Sequence, residues 1–403
     1  MLTSNTGKFT QPITPKKPLV FCDMTLREGE QTAGVSFTLD ERKELVRRLD
    51  EAGVQQVQLY NCWGGKTLRK ENFENCKALC EMERKQIKTE IINFYTAETD
   101  VYHDMIDLIA TAHPDVIHTG FVSTPQGLNQ PWTEAVTKNM CERVRMAADY
   151  IKKKGFVCNI SFLDSTRADE DVLHRLIGAA VEAGADRVRL ADTVGLATPD
   201  DIRHICAIAN EEIGDRDVML GLHTHNDFGL GAINMIEGIR CGATLLDTSI
   251  NGLGERCGNA ATAEIAIDLE ALYHCPTGLD LSKMMSLSKY VEKISEVPIP
   301  ECKPFVGKYA FSDTVALHIV SSSKDKFAYQ GIIPEEIGSK RIVIFGKGIS
   351  PEVIKITADK AGRTIPESLY PAIIKSLYEQ EAAKKGVVLL EEDFWKTVDA
   401  LMQ

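Results

Sequence analysis

Eight short apolar segments alternate with amphipathic segments between residues 19 and 272, and this repeat limits the folds open to the chain. The apolar segments have the length of strands, and the segments between them place apolar residues at helical spacing. Such a one-direction βα repeat predicts an α/β fold in which the eight strands close into a (βα)8 TIM barrel. An open doubly wound sheet is the alternative, but it needs no eighth unit. The predicted strands are residues 19–23, 54–60, 89–95, 116–119, 156–161, 187–191, a segment from 218 that carries two histidines, and 245–249.

The repeat stops near residue 275, and the remaining chain has a different pattern. Residues 1–17 predict a flexible N-terminal arm, and residues 18–275 predict the TIM-barrel catalytic domain. Residues 276–403 predict C-terminal helical linker and lid subdomains, with a rigid Val-Pro-Ile-Pro linker at 297–300. We therefore expect a barrel followed by a small, mostly helical C-terminal lid.

Composition and charge exclude several classes of partner. The net charge of −12 and the pI of about 5.4 argue against nucleic acid or an anionic membrane surface. No apolar run approaches the roughly 18 residues of a membrane span, and the N-terminus lacks the apolar stretch of a signal peptide. The 11 cysteines lie mostly within apolar segments, which is typical of reduced thiols in a cytoplasmic protein.

The seventh predicted strand ends in a candidate metal site. His223 and His225 are two residues apart, so both side chains point to the same face of a strand. When a barrel closes, strands seven, eight and one are neighbours, and a carboxylate from 23–31 and an amide from 251–259 can join the histidines. Two imidazoles, a carboxylate oxygen and a carbonyl oxygen suit a divalent ion such as Zn²⁺, Mn²⁺, Co²⁺ or Fe²⁺.

Three segments together carry a resemblance to a known family. Asp23-Met24-Thr25-Leu26-Arg27-Glu28-Gly29-Glu30-Gln31, His223-Thr224-His225-Asn226-Asp227 and Gly254-Glu255-Arg256-Cys257-Gly258-Asn259 resemble the three signatures of the DRE-TIM metallolyase superfamily. Within it the chain is most similar to the isopropylmalate, homocitrate and citramalate synthase branch. The resemblance extends over about residues 18–350 and includes the segment 190–195.

This resemblance implies an acetyl-CoA-dependent Claisen condensation with a 2-oxo acid, giving a 2-substituted malate and CoA. Arg27 would face the oxo acid, and His318 and Tyr329 would serve acid–base chemistry in a lid that reaches the barrel of a homodimer partner. A divalent metal (Zn, Mn, Mg or Co) would be held by Glu28, His223, His225 and Asn259. The implied substrate-binding residues are Arg27, Gln31, Tyr60, Phe94, Ser161 and Thr193.

The acceptor 2-oxo acid is harder to predict because the chain departs from homocitrate synthases. Gln58 replaces a usual glutamate, Phe94 a substrate-binding histidine, Asn159 an arginine and Leu163 a glutamate. A 2-oxoglutarate tail would lack its cation, so homocitrate synthesis is disfavoured. We expect instead a bulky or aromatic, phenylpyruvate-like acceptor lined by Tyr60, Phe94, Phe121, Phe162 and Leu163.

Other activities are open alternatives. Lys66, Arg69, Lys70 and His118 could hold an anionic acceptor such as phosphonopyruvate or oxaloacetate. A metal-dependent CoA-thioester lyase or aldolase would use the same metal site, whereas a non-haem iron oxygenase would need an antiparallel barrel. The chain ends without the long β-rich module that isopropylmalate synthases use for feedback, so we expect no inhibition by leucine.

Overall fold

The computed structural model describes residues 1–4, 7–59, 70–94 and 102–403. Eight parallel strands form a closed barrel in chain order, and β1 pairs with both β2 and β8 to complete the ring. The predicted (βα)8 fold is therefore confirmed. The strands are β1 Val20–Asp23, β2 Gln56–Leu59, β3 Lys88–Phe94, β4 Val116–Val122, β5 Val157–Leu163, β6 Arg187–Asp192, β7 Met219–Thr224 and β8 Leu245–Thr248.

Helices connect the strands on the outside of the barrel, and polar caps set where several of them begin. Thr38 caps the first helix: its hydroxyl accepts the Glu41 N–H, and the Glu41 carboxylate accepts the Thr38 N–H. Thr198 and Asp201 form the same reciprocal cap at the start of the helix Pro199–Ile213. The helices of this unit are α1 Leu39–Glu51, α2 Lys70–Glu81, α3 Tyr102–Ala110, α4 Pro125–Leu128, α5 Glu134–Lys153, α6 Glu170–Glu182, α7 Pro199–Ile213, α8 Gly231–Arg240, α9 Thr262–Ala271 and α10 Met284–Ser295.

The chain divides into two compact units, residues 11–298 and residues 1–10 with 299–403. The predicted boundary at 275 differs from this division, because α10 lies in the barrel unit. There the Tyr290 hydroxyl donates to the Glu41 carbonyl at 3.2 Å, and the Arg48 guanidinium lies 4.4 Å from the Tyr290 ring. The N-terminal segment contacts the rest of its unit, since Ser4 forms a β-bridge with Ile332.

The second unit is mostly helical and has its own apolar core. Its helices are α11 Ala316–Lys324, α12 Pro351–Lys360, α13 Tyr370–Ala382 and α14 Glu391–Leu401, and its short strands are β9 Ser312–Asp313 and β10 Ile342–Val343. The rings of Phe345 and Phe394 stack 4.7 Å apart in a core that also contains Ile373 and Leu377. Among the described residues of both units, no helix combines the length and apolarity that crossing a membrane requires.

Strand periodicity decides what faces the barrel interior. Gly120 on β4 lies beside Ser161 on β5, and Ser161 lies beside Arg189 on β6. Arg189 in turn lies beside Gly221 on β7. Gly221 leaves room for the long Arg189 side chain, because a Cβ there would lie 3.3 Å from Arg189 Cγ. The interior below the mouth is consequently polar, and the large apolar side chains pack outward against the helices.

Candidate active site

Three predicted metal ligands meet at the mouth of the barrel. His223 is on β7, His225 follows it, and Glu28 lies in the turn after β1. The Nε2 atoms of the two histidines are 3.1 Å apart, and Glu28 Oε1 lies 3.8 Å from His225 Nε2. One potential ligand atom from each residue lies within 4.8 Å of the others, and all three side chains are buried.

Asn259 lies beside this group. Its Nδ2 atom is 3.3 Å from His223 Nε2, and its Oδ1 atom is buried without a hydrogen-bond partner among the described residues. Because a half-turn of the amide exchanges these atoms, the position offers a carbonyl oxygen to an ion between the imidazoles. Gly254 makes this approach possible, since a Cβ there would lie 1.9 Å from Asn259 Oδ1. We call Glu28, His223, His225 and Asn259 the metal corner.

The protonation of the metal corner fits a divalent cation. Burial and the neighbouring His223 lower the pKa of His225 to about 3, so its imidazole is neutral. Burial raises the pKa of Glu28, but the charges of Arg27 and the two histidines outweigh it and leave this pKa below the ordinary value. An ionised carboxylate beside a neutral imidazole belongs to the donor set that Zn²⁺, Mn²⁺ or Co²⁺ takes.

A buried carboxylate orients one of the histidines. Asp247 on β8 places Oδ2 3.0 Å from His223 Nδ1, which leaves Nε2 of His223 directed into the metal corner. Carboxylate–histidine pairs of this kind fix the tautomer and the ring orientation of a metal ligand. The other oxygen of Asp247 lies 3.3 Å from Nη2 of Arg189. The Asp247–His223 pair therefore contacts a second group of buried ionisable residues.

That second group is a set of ionisable side chains below the cavity, of which the sequence alone had indicated only His118, as a residue that could hold an anionic acceptor. Glu90 on β3 forms an ion pair with Arg189 on β6 at 3.0 Å, and His118 on β4 lies 3.0 Å from the same carboxylate oxygen. We call Glu90, His118 and Arg189 the cavity floor. The sequence did contain a sign of this cluster. Glu90 and Arg189 are charged residues inside apolar strand segments, and a buried charge requires a partner of opposite charge. The partners could not be read from the sequence, since each comes from a different strand.

Arg27 projects between the metal corner and the opposite wall. Its Nε donates to Gln58 Oε1 at 2.5 Å, and it forms an ion pair with Glu28. The guanidinium carbon lies 6.0 Å from the centre of the Phe94 ring. A fixed cation thus lies next to the metal corner, where a developing negative charge would be stabilised.

A cavity of about 760 Å³ opens above these groups and brings most of the predicted site residues together. Its lining includes Arg27, Glu28, Gln31, Phe94, Ser161, Thr193, His223 and His225. Thr193 is also held in place, because its hydroxyl accepts the Asp164 N–H at 2.8 Å. Tyr60, Lys66 and Arg69 lie outside the described residues, as does the Lys70 side chain. His318 and Tyr329 lie in the second unit, where their rings stack 3.8 Å apart.

The predicted aromatic lining is wrong at two positions. Phe121 and Phe162 are fully buried and do not line the cavity. Side chains alternate along a strand, so Ser161 and Leu163 on the cavity side place Phe162 on the outer side, and Val122 does the same for Phe121. Phe94 and Leu163 do line the cavity. The Phe94 ring occupies the space above Gly120, where a Cβ would lie 2.5 Å from Phe94 Cδ1.

Comparison with known proteins finds one family and many relatives. The HMGL-like family model matches residues 18–291. The chain is 32% identical to homocitrate synthase AksA of Methanocaldococcus jannaschii over 100% of this chain and 96% of the relative. It is 29% identical to (R)-citramalate synthase CimA of the same organism, covering 89% of this chain and 70% of the relative. A probable 2-isopropylmalate synthase of Ignicoccus hospitalis is 32% identical, covering 92% and 95%.

Solved structures show the same fold at lower identity. The HMG-CoA lyase of Bacillus subtilis superimposes with a TM-score of 0.60 at 18% identity, covering 72% of this chain and 97% of the lyase chain. The carboxyl transferase domain of Rhizobium etli pyruvate carboxylase gives a TM-score of 0.55 at 17% identity, covering 69% and 47%. At these identities the likeness extends to the barrel alone.

Proposed function

This chain belongs to the HMGL-like family, and within that family we propose that it condenses acetyl-CoA with a 2-oxo acid to give a 2-substituted malate and free CoA. The convergence of Glu28, His223 and His225 within 4.8 Å beside Arg27 is the observation that carries this proposal. The relatives named homocitrate, citramalate and isopropylmalate synthase support the reaction class.

The metal corner binds the ion, and Arg27 binds the acceptor. A divalent cation, when bound, would polarise the ketone and stabilise the alkoxide formed from it. Arg27 supplies a second positive charge at the same oxygen, and Thr193 donates a hydrogen bond to the acceptor carboxylate. Asp247 keeps His223 in the tautomer that binds the ion.

The reaction needs one new carbon–carbon bond, a proton removed from the acetyl methyl group, a proton added to the alkoxide, and hydrolysis of the thioester. The acetyl methyl group of acetyl-CoA loses a proton, its carbon bonds to the ketone carbon, and water cleaves the thioester to release CoA. The aromatic pair His318 and Tyr329 serves this acid–base chemistry, and the active enzyme is a homodimer. A His318→Gln variant should exchange deuterium from solvent into the acetyl methyl group at least about 100-fold more slowly. Light scattering should give a mass near twice 44.6 kDa.

The charges around the cavity favour an acceptor with an uncharged side chain. Among the described residues that line the cavity the cations are Arg27 and Arg189, and each is already paired with a carboxylate. Phe94 and Leu163 form an apolar wall opposite the metal corner. We expect a bulky or aromatic, phenylpyruvate-like acceptor, since an aromatic ring against this wall would contribute about 2 kcal/mol.

A panel of 2-oxo acids tests the function directly. Phenylpyruvate, 2-oxoisovalerate, 2-oxoglutarate, oxaloacetate and phosphonopyruvate would each be mixed with acetyl-CoA and Mn²⁺, and released CoA measured with a thiol reagent. CoA release that needs both the acid and the metal supports the proposal. No acid-dependent release in the presence of Zn²⁺, Mn²⁺, Mg²⁺ or Co²⁺ would contradict it, and a preference for oxaloacetate or phosphonopyruvate would contradict the uncharged acceptor.

A further inference from the structure

Two residues of the cavity floor each keep one buried nitrogen without a hydrogen-bond partner among the described residues. These atoms are Nε2 of His118 and Nε of Arg189. Both residues line the cavity, and each is 1% exposed. A buried polar atom without a partner costs about 1–3 kcal/mol, so two of them in one cavity wall indicate a group that binds there.

The hydrogen bonds of Glu90 decide which proton His118 carries. Glu90 Oε1 accepts from Arg189 Nη1 at 3.0 Å and from the Gln58 amide, and His118 Nδ1 lies 3.0 Å from the same oxygen. Two donors, Arg189 Nη1 and Gln58 Nε2, also lie 3.1 and 3.3 Å from His118 Nδ1, but both donate to Oε1 of Glu90. Because the carboxylate only accepts, we assign the proton to Nδ1 of His118, which leaves a lone pair on Nε2. Burial also lowers the pKa of His118 to about 4, so the ring is neutral at physiological pH. The Nε2 atom is therefore a hydrogen-bond acceptor.

Arg189 offers the complementary donor. Its Nη1 and Nη2 atoms contact Glu90, and Nη2 also lies 3.3 Å from Asp247 Oδ1. Two carboxylates thus compensate the charge of the guanidinium, which leaves no net attraction for another anion. The Nε–H remains as a donor to a neutral oxygen.

We propose that the cavity floor binds a hydroxyl group at the far end of the acceptor's side chain, so that the preferred substrates are neutral, hydroxyl-bearing 2-oxo acids. The hydroxyl donates to His118 Nε2 and accepts from Arg189 Nε–H. Phe94 and Leu163 contact the apolar part of the same side chain. This inference rests on the proposed function and makes His118 a specificity-determining residue.

Matched pairs of acids test the inference. The pairs are 4-hydroxyphenylpyruvate with phenylpyruvate and 5-hydroxy-2-oxopentanoate with 2-oxopentanoate, with 2-oxoglutarate as the charged member. We expect kcat/KM from CoA release to favour the hydroxylated acid of at least one pair by about 100-fold or more, because a site built for a hydroxyl rejects the analogue without it. Equal values within both pairs, or a preference for 2-oxoglutarate, would overturn the inference.

Substitutions at His118 test whether this residue causes the preference for hydroxylated acids. His118→Phe should reduce the preference to about 1, and His118→Gln should restore part of it, since a glutamine amide can donate to Glu90 and still accept from a hydroxyl. His204→Phe is the matched control, because His204 is exposed on α7, and it should keep the wild-type preference. An unchanged preference in a folded His118→Phe protein would contradict the assignment of His118.

Calorimetry separates this inference from the proposed function. If no acid releases CoA, the function fails, and the same acids can still be titrated into the wild-type protein with Mn²⁺. Tighter binding of the hydroxylated member supports the floor site in that case, and equal binding overturns it.

Discussion

The metal corner and the cavity floor are both clusters of buried ionisable side chains, but their hydrogen bonding differs. In the floor, both oxygens of Glu90 accept hydrogen bonds from N–H groups. Oε1 accepts from Gln58, His118 and Arg189. Oε2 accepts from Gln56, Asn159 and Arg189. In the corner, the Nε2 atoms of His223 and His225 face each other, and a carboxylate oxygen faces His225. The charges within the floor compensate one another, whereas the ligand atoms of the corner face each other and need a cation. We therefore expect losses in the corner to remove activity and losses in the floor to remove stability.

The largest expected effect is on activity, from His225→Gln. This change should lower kcat for CoA release by at least about 10⁴-fold, because the ion would lose a ligand beside the reacting ketone. The free energy of unfolding of the metal-free protein should change by less than about 1 kcal/mol, since no charge is left unpaired. Steady-state kinetics and urea unfolding measure the two quantities, with His204→Gln as the surface control. A His225→Gln protein that keeps its kcat but loses several kcal/mol of unfolding free energy would contradict this comparison.

The opposite pattern is expected for Glu90→Gln. Removing this carboxylate leaves the buried Arg189 with Asp247 as its remaining partner, which should cost about 3–5 kcal/mol of unfolding free energy. Urea unfolding of the metal-free protein provides the measurement, and Glu44→Gln, which removes a carboxylate of an exposed helix pair, is the control. A loss below about 1 kcal/mol would show that the floor is not held by this ion pair.

Asp247 connects the two regions, so its substitution sharpens the comparison. Asp247→Asn should weaken metal binding by about 10–100-fold, because the amide no longer fixes the His223 tautomer as the carboxylate does. Calorimetric titration of the metal-free variant with Mn²⁺ would detect this change without any substrate. Wild-type affinity in a folded variant would mean that His223 is oriented by other contacts.

The smallest effect concerns pH. The folded-state pKa of His118 is lowered from 6.5 to about 4, so only the unfolded chain takes up this proton between those values. Stability therefore falls as the pH falls, by about 1.4 kcal/mol for this group between pH 7.5 and 5.5. The carboxylate of Glu90 has a lowered pKa, and its contribution is lost only at more acidic pH. Asp23 and Asp268, whose pKa values burial raises to about 7, contribute a slope of the opposite sign, so the prediction concerns a difference between two variants. Between pH 7.5 and 5.5, His225→Gln should lose about 1.4 kcal/mol more unfolding free energy in urea experiments than the same variant with His118→Gln added.

The sequence predicted the fold and the placing of His223 and His225 on one strand face because both depend on local patterns, whereas most other site residues were implied by the family resemblance. A βα repeat and a His-x-His pair at a strand end are readable without the partners. The cavity floor was missed because Glu90 and Arg189 are 99 residues apart and meet only when β3 and β6 lie in one closed ring. The Phe121 and Phe162 error had a different cause, since the alternation along each strand was enough to place both rings on the outer side. The roles of the metal corner, of Arg27, of the substrate-binding residues and of His318 and Tyr329 stay predictions.

The sharing of Arg189 between Glu90 and Asp247 has a practical meaning for redesign. A new acceptor preference sought by changing this arginine would also disturb the support of His223, so selectivity and turnover would change together. Phe94, Gly120 and Leu163 lie on β3, β4 and β5, away from the strands β7 and β8 that carry His223 and its carboxylate partner. Libraries aimed at new products should therefore vary these three positions and keep the arginine constant.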